Sequence, residues 1–283
     1  MTISCRQVSK TFEKTTAVNQ VILSLEENKI YGLLGRNGAG KTTLLRMLAN
    51  YIRPTSGEIT FDGQPLWENE AALHQIFLAT ENSFFPNLKI KELLPWFAHS
   101  FPNFDKEQCL NYAKQFGLDC NKSVQKLSTG YRSVLRVIIG LSVHTPFLLL
   151  DEPTLGMDAF HRELFYKLLI ESYSQNPSCI LLSTHLIAEA EGLLENVIIM
   201  DHGKILIDEP LEQLLSQGYC ISGKISEVDD YCKGKNVIGS DVVGGLKTAA
   251  ILGERENCPA SLEQSGLSLQ QLFVRLVGEE QSI

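Results

Sequence analysis

The chain has 283 residues, enough for one large domain or one domain with a small appendage. A hydrophobic content of 44% and a charged content of 20% are those of an ordinary globular protein. The net charge of −8 argues against non-specific nucleic-acid binding, which needs clustered Lys and Arg. Seven cysteines (Cys5, Cys109, Cys120, Cys179, Cys220, Cys232, Cys258) form no C-x-x-C pair. Scattered in this way they read as reduced thiols of a cytosolic protein, with Cys179 buried at the start of an apolar run. No stretch suits a bilayer: the best, residues 134–150, is interrupted by Arg136, His144 and Pro146. The N-terminus lacks a signal pattern, so any membrane role is expected to run through a partner.

Residues 1 to about 30 alternate apolar and polar side chains, the period of antiparallel β-structure, with a break at Asn28. Residues 30–34 (IYGLL) read as a short apolar strand and residues 41–51 (KTTLLRMLANY) as a helix. Between them residues 35–42, GRNGAGKT, satisfy G-x-x-x-x-G-K-[ST] at every constrained position. Glycines let the backbone fold tightly and aim its N–H groups at an anion, and the helix N-terminus adds its positive end. Asn37, Gly38, Ala39, Gly40 and Thr43 are therefore expected around the phosphates of a nucleoside triphosphate, ATP in the reading below. Lys41 is expected to reach the β- and γ-phosphates, and the Thr42 hydroxyl to ligate Mg²⁺. The reaction stays open at this point, since kinases, GTPases and transport ATPases share the loop.

Pro54 and Gly57 mark a turn, residues 58–61 a strand, and Asp62-Gly63 a hairpin. Residues from about 84 to 145 carry apolar residues at helical spacing and no strand pattern, with a kink or boundary expected at Pro95. Trp67 and Trp96 read as packing residues. Residues 147–150 (FLLL) form a strand buried on both faces. Residues 158–174 read as an amphipathic helix that Asp158 caps, and residues 180–183 and 197–200 as two more buried strands. This alternation predicts a parallel sheet with crossover helices, the all-helical stretch being inserted between two of its strands. Beyond about residue 215 short apolar stretches are broken by Gly and Asp, and the chain closes on a helix-like segment, SLQQLFVRLV. That texture predicts a small α+β appendage.

The strand FLLL ends in Asp151-Glu152. Carboxylates at the C-terminal edge of a parallel strand lie where such sheets bind ligands, so Asp151 is expected to hold Mg²⁺ through water and Glu152 to act as general base. The competing reading is an ordinary Asp-Glu helix start before Pro153. Just upstream lies LSTGY, residues 127–131. Here the chain resembles the ATP-binding-cassette (ABC) family of ATPases, whose signature peptide is LSGGQ: Leu127, Ser128 and Gly130 match, Thr129 and Tyr131 depart. The resemblance covers residues 1 to about 210. It implies that Ser128 and Gly130 hold the γ-phosphate of ATP bound to the other subunit of a dimer. It also implies that residues 154–158 (TLGMD) are the family's D-loop, with Asp158 facing the partner, and that His185 is the switch histidine. His185 would contact the γ-phosphate and hold Glu152 and the attacking water. Phe12 matches the aromatic that stacks on adenine, a core Phe being the equal alternative. The family's metal-sensing glutamine is missing: in residues 76–82 (IFLATEN) Thr80 or Glu81 takes its place, and Glu81 retains a carboxylate for metal.

The resemblance implies a fold of P-loop NTPase type: a mainly parallel α/β core with an antiparallel β subdomain and an inserted helical subdomain, to which the C-terminal texture adds the small α+β appendage. Residues 1–214 form the nucleotide-binding domain, about 84–145 the helical part, and 215–283 the accessory domain. It further implies an ATPase that works with Mg²⁺ as a homodimer or a heterodimer with a paralogue. Its place would be the cytoplasmic face of a membrane, driving a transmembrane permease, with export of peptides or drugs expected and import open. A soluble ABC ATPase and an ATP-binding sensor are the other readings. Phe84, Phe85 and Pro86 either form a groove for the permease or belong to the helical subdomain's core. The other histidines (His74, His99, His144, His161, His202) show no ligand spacing.

Overall fold

The computed structural model describes residues 1–81 and 86–278. Phe84 and Phe85, two of the three residues of the expected apolar groove, lie outside the described residues. Strands β1 (Thr2–Phe12) and β2 (Thr15–Glu26) pair antiparallel, and Val18, Val21, Leu23 and Leu25 point inward from β2. Strand β3 (Ile30–Leu34) is buried at all five positions and runs through the phosphate loop into α1 (Lys41–Leu48). Strands β4 (Ser56–Phe61) and β5 (Gln64–Pro65) meet across Asp62 (φ 46°) and Gly63 (φ 78°). Two consecutive positive φ values are what a tight hairpin of this length requires.

Helix α2 (Glu70–Leu73) and strand β6 (Ile76–Ala79) precede the helical insertion: α3 (Ile90–Ser100), α4 (Lys106–Gln115) and α5 (Thr129–Ser142). Helix α3 runs on through Pro95, where a kink or boundary was expected. Ile90, Leu93 and Leu94 anchor it to the core, and this packing outweighs the hydrogen bond that proline removes. Trp96 stands 63% exposed and Trp67 37%, so neither is the packing residue expected: Trp96 projects from α3, whose buried face is made by Ile90, Leu93 and Leu94, and Trp67 lies in the turn after β5.

The second half alternates strictly: β7 (Phe147–Asp151), α6 (Ala159–Gln175), β8 (Cys179–Ser183), α7 (Ile187–Ala190) and β9 (Asn196–Asp201). Strand β10 (Lys204–Pro210) then folds back antiparallel on β9 across His202 and Gly203, both at positive φ. Helix α8 (Leu211–Gln217) leads into β11 (Gly218–Lys224), α9 (Ile225–Tyr231), β12 (Val237–Val243), β13 (Leu246–Leu252), β14 (Glu263–Gly266) and α10 (Leu269–Val277).

Three sheets result, of order β2-β1-β4-β5, β10-β9-β3-β8-β7-β6 and β12-β13-β11-β14. In the central sheet β9, β3, β8, β7 and β6 are parallel, and the helical insertion lies between the neighbours β6 and β7. One core joins the antiparallel sheet to α1 and one face of the central sheet. A second covers the other face and the helices, and it takes in Ile238, Ala250, Leu269, Leu272 and Val277 from the C-terminal segment. A third, smaller core lies within the C-terminal sheet around Tyr219, Ile221 and Val228.

Candidate active site

The parallel strands β3, β7 and β8 lie side by side, so the residues that leave their C-terminal ends converge. From β3 comes the phosphate loop, which closes on α1 through Gly40 at φ +103°. A Cβ on Gly40 would stand 2.2 Å from the Ala17 carbonyl oxygen, so only glycine fits there. The loop, with Ala17, Asp151 and Glu152, walls a cleft of about 350 Å³. Asn37, Gly38, Ala39, Gly40, Lys41, Thr42 and Thr43 all line it. The sequence-predicted phosphate cradle is thus one surface. Phe12 is not part of this lining: it ends β1, 48% exposed, with the Lys10 ammonium 5.2 Å from its ring centroid.

Lys41 is buried, and its ammonium donates to the Gly35 carbonyl at 2.6 Å and the Arg36 carbonyl at 3.1 Å. Burial lowers its pKa, and the nearby Glu152 and Asp151 charges work the other way. Asp151 ends β7, paired in register with Ser183 of β8. Its Oδ2 accepts from the Thr80 hydroxyl at 3.2 Å, while the buried Oδ1 has no hydrogen-bond partner among the described residues. A buried carboxylate oxygen without a donor is costly in a closed protein and well suited to a cation, so the donor set fits Mg²⁺. The two candidates for the sensing position separate here. Thr80 lies buried against Asp151, whereas Glu81 is exposed at the following turn, its charge set against the buried Arg136 guanidinium.

Glu152 takes φ +47°, an uncommon value for a residue with a side chain, and its N–H donates to the Ser183 carbonyl at 2.9 Å. This bend turns the chain out of the sheet and sends the carboxylate into the cleft. Glu152 Oε2 lies 2.7 Å from His185 Nδ1, so the two residues picked from separate strands form a hydrogen-bonded pair. A non-glycine residue held in the left-handed region costs of order 1–3 kcal/mol, a strain that persists where the surroundings fix it.

Ser128, Gly130 and Asp158 gather elsewhere, none of them lining the phosphate cleft. Ser128 caps α5 by accepting from the Tyr131 N–H at 3.3 Å. A Cβ on Gly130 would come within 2.4 Å of the Gly156 carbonyl oxygen, so the α5 start and residues 154–158 touch backbone to backbone. The Ser133 hydroxyl donates to the Leu155 carbonyl at 2.7 Å and locks the same contact. Asp158 caps α6, accepting from the His161 N–H at 2.9 Å. Its other oxygen lies 3.1 Å from His161 Nδ1. The His161 ring packs between Phe116 and Tyr131, each with its centroid 5.7 Å away. His161 was given no role from sequence: its i+3 spacing from Asp158 was the only local signal, and its ring partners come from α5 and the end of α4. Tyr131, a departure from the family signature, thereby ties the signature helix to the segment carrying Asp158.

A profile of the ABC transporter family matches residues 18–155. The chain is 32% identical to the bacitracin transport ATP-binding protein BcrA of Bacillus licheniformis, over 75% of this chain and 71% of that protein. It is 29% identical to the Nod factor export ATP-binding protein I of Cupriavidus pinatubonensis, over 98% of this chain and 91% of that one. Among solved structures, an ATP-binding subunit of an ABC transporter superposes with a TM-score of 0.67 at 21% identity, covering 76% of this chain and 92% of that chain.

Proposed function

The chain belongs to the ABC transporter family of ATP-binding, ATP-hydrolysing subunits, and from that premise we propose that it powers an exporter as a head-to-tail dimer. Among the described residues no helix is long and apolar enough to cross a membrane; the chain would sit at the cytoplasmic face and drive a separate transmembrane partner. The observation that carries the dimer is the separation of the site into two groups. The phosphate cleft holds Lys41, Asp151 and Glu152, while Ser128, Gly130 and Asp158 stand together outside it. Docking two copies in opposite orientation lets one copy's signature complete the other's cleft. ATP between them closes the pair through its higher affinity for the closed state, and hydrolysis releases it. Export of peptides or drugs is the cargo class we assign, supported by the relatives named for bacitracin transport and for Nod factor export. Residues 1–214 would be the motor and 215–283 an accessory unit.

Within each cleft Lys41 exchanges its two loop carbonyls for the β- and γ-phosphate oxygens. The backbone N–H groups of residues 37–41 cradle the phosphates, with Thr43 at the first helical turn. Phe12 would rest on adenine. Glu152, turned into the cleft and paired with His185, takes the proton of the attacking water, and His185 orients it against the γ-phosphoryl group. Thr42 and Asp151 would hold Mg²⁺, with Glu81, exposed at the turn after β6, as a further carboxylate. When bound, the ion neutralises the phosphate charge.

Two measurements test this. Glu152→Gln is expected to bind ATP, sediment as a dimer with it, and turn over roughly a hundredfold or more slower. Undiminished turnover removes Glu152 as the base, and a monomer in saturating ATP removes the dimer. Tagged chain recovered from detergent-solubilised membranes should bring a multi-span membrane protein in stoichiometric amount, and recovery only from the soluble fraction would overturn the transporter reading.

A further inference from the structure

The segment that follows the switch histidine has little structure of its own. After His185 come α7, four residues long, and one 3₁₀ turn over Glu191–Leu193. A single helical turn is not stable in water without packing, so its neighbours must order it. On one side Arg162 of α6 holds the Glu189 carboxylate, Nε to Oε2 at 2.9 Å. On the other side stands α10, the last helix of the C-terminal segment. Leu269 donates its N–H to Glu191 Oε2 at 3.3 Å. Leu269 and Leu272 are fully buried in the same core as Ile187, Ala190 and Leu194. Helix α10 is itself secured by a capping box of Ser268 and Gln271 and by the ion pair of Arg275 with Asp241 of β12. One turn on from Leu269, the half-buried Phe273 lines a cleft of about 430 Å³ that it shares with Arg36, Asn37, His185 and Ile187.

We infer that α10 is a strut for the switch: Phe273 is a positioning residue that keeps His185 in register with Glu152 and makes the C-terminal segment part of the ATPase cycle. The inference deepens the ATPase reading of the site and rests on it. Coupling of this kind is reciprocal, so movement of His185 on ATP binding or hydrolysis is transmitted to α10 and, through Arg275 and Asp241, to the C-terminal sheet.

The test compares wild type with Phe273→Ala, Phe273→Asp and Phe273→Leu by amide hydrogen exchange without nucleotide and by steady-state ATP turnover. In Phe273→Ala, residues 185–194 are expected to exchange faster while β3, β7 and α1 stay protected. Its kcat should fall about tenfold with KM for ATP within about twofold, the pattern of a displaced catalytic group rather than lost binding. Phe273→Leu, which keeps apolar bulk, should recover most of both. Unchanged exchange over 185–194 in the Ala and Asp variants overturns the inference, as does a kcat equal to wild type in both. Should Phe273→Ala and Phe273→Asp both lose protection throughout the chain rather than over residues 185–194, Phe273 belongs to folding alone and the inference is overturned. Absence of turnover in wild type would instead count against the ATPase reading, and the nucleotide-free exchange measurement still judges the strut.

Discussion

At Asp151 one carboxylate carries two tasks, because its oxygens face different surroundings. Oδ2 is held by the Thr80 hydroxyl at 3.2 Å, and Oδ1 is left buried and unpartnered among the described residues. Thr80 thus fixes the rotation of the carboxylate that would meet the metal, a supporting role usually as exacting as ligation itself. Thr80→Val keeps the shape and removes the hydroxyl. The expected outcome is a rise of about tenfold in the Mg²⁺ concentration that half-activates turnover, with ATP affinity in the absence of the metal unchanged. A magnesium titration of ATPase rate checks it, and an unmoved midpoint would leave Thr80 as a packing residue. Sequence alone left Thr80 and Glu81 open, because a shift of one residue after β6 exchanges the buried and exposed sides of the chain. His161 was illegible for a different reason: its partners Phe116 and Tyr131 lie 45 and 30 residues away in the sequence, and nothing local announces the contact. The places of Asp151, Glu152 and His185 were legible because each lies at or just past the end of a buried apolar run, and those of Lys41 and Thr42 because the glycine-rich pattern of residues 35–42 closes on them at the start of α1.

The contact between the N-terminus of α5 and residues 154–158 would set the geometry of the second half-site in the proposed dimer. It leaves no room for a side chain at Gly130: a Cβ would sit 2.4 Å from the Gly156 carbonyl oxygen, a backbone atom that cannot rotate away. Gly130→Ala must therefore push the two segments apart, at a cost of about 1–3 kcal/mol as for other overpacked sites. Since Gly130 does not line the phosphate cleft, ATP affinity of the single subunit should stay within about twofold while turnover falls at least tenfold. Fluorescent-nucleotide titration and a phosphate-release assay separate the two, and parallel losses of binding and rate would refute the division into half-sites. At this scale the strands were easy to read, since apolar runs bounded by polar residues mark β3, β7, β8 and β9. Strand β10 was not anticipated. Its residues alternate between exposed and half-buried, the weak pattern of an edge strand, and only the His202-Gly203 turn signals the reversal.

For the whole molecule the question is whether the C-terminal segment folds with the ATPase or apart from it. Composition suggested an appendage, and its sheet has a small core of its own. Yet Leu272, fully buried, belongs to the larger core that also holds Cys109 of the helical insertion. The two regions are then expected to unfold together, and the thiols can report it. Burial pushes the Cys109 thiol up to about 12, which leaves almost no thiolate to react while the chain is folded. Labelling of Cys109 therefore measures opening of the helical insertion, and the rise in labelling of the half-buried Cys220, in β11, above its folded rate measures opening of the C-terminal sheet. Leu272→Ala removes a buried leucine side chain, at a cost of about 2–5 kcal/mol. A continuous core requires the urea midpoints for both cysteines to fall by the same amount in that variant, read by pulsed thiol labelling and mass spectrometry. If the Cys220 midpoint falls while that of Cys109 stays at its wild-type value, the C-terminal segment is a separate folding unit. A strut that unfolds on its own could hold the switch only while folded, so that result would also make the turnover of Phe273 variants depend on urea at concentrations that leave the cassette intact.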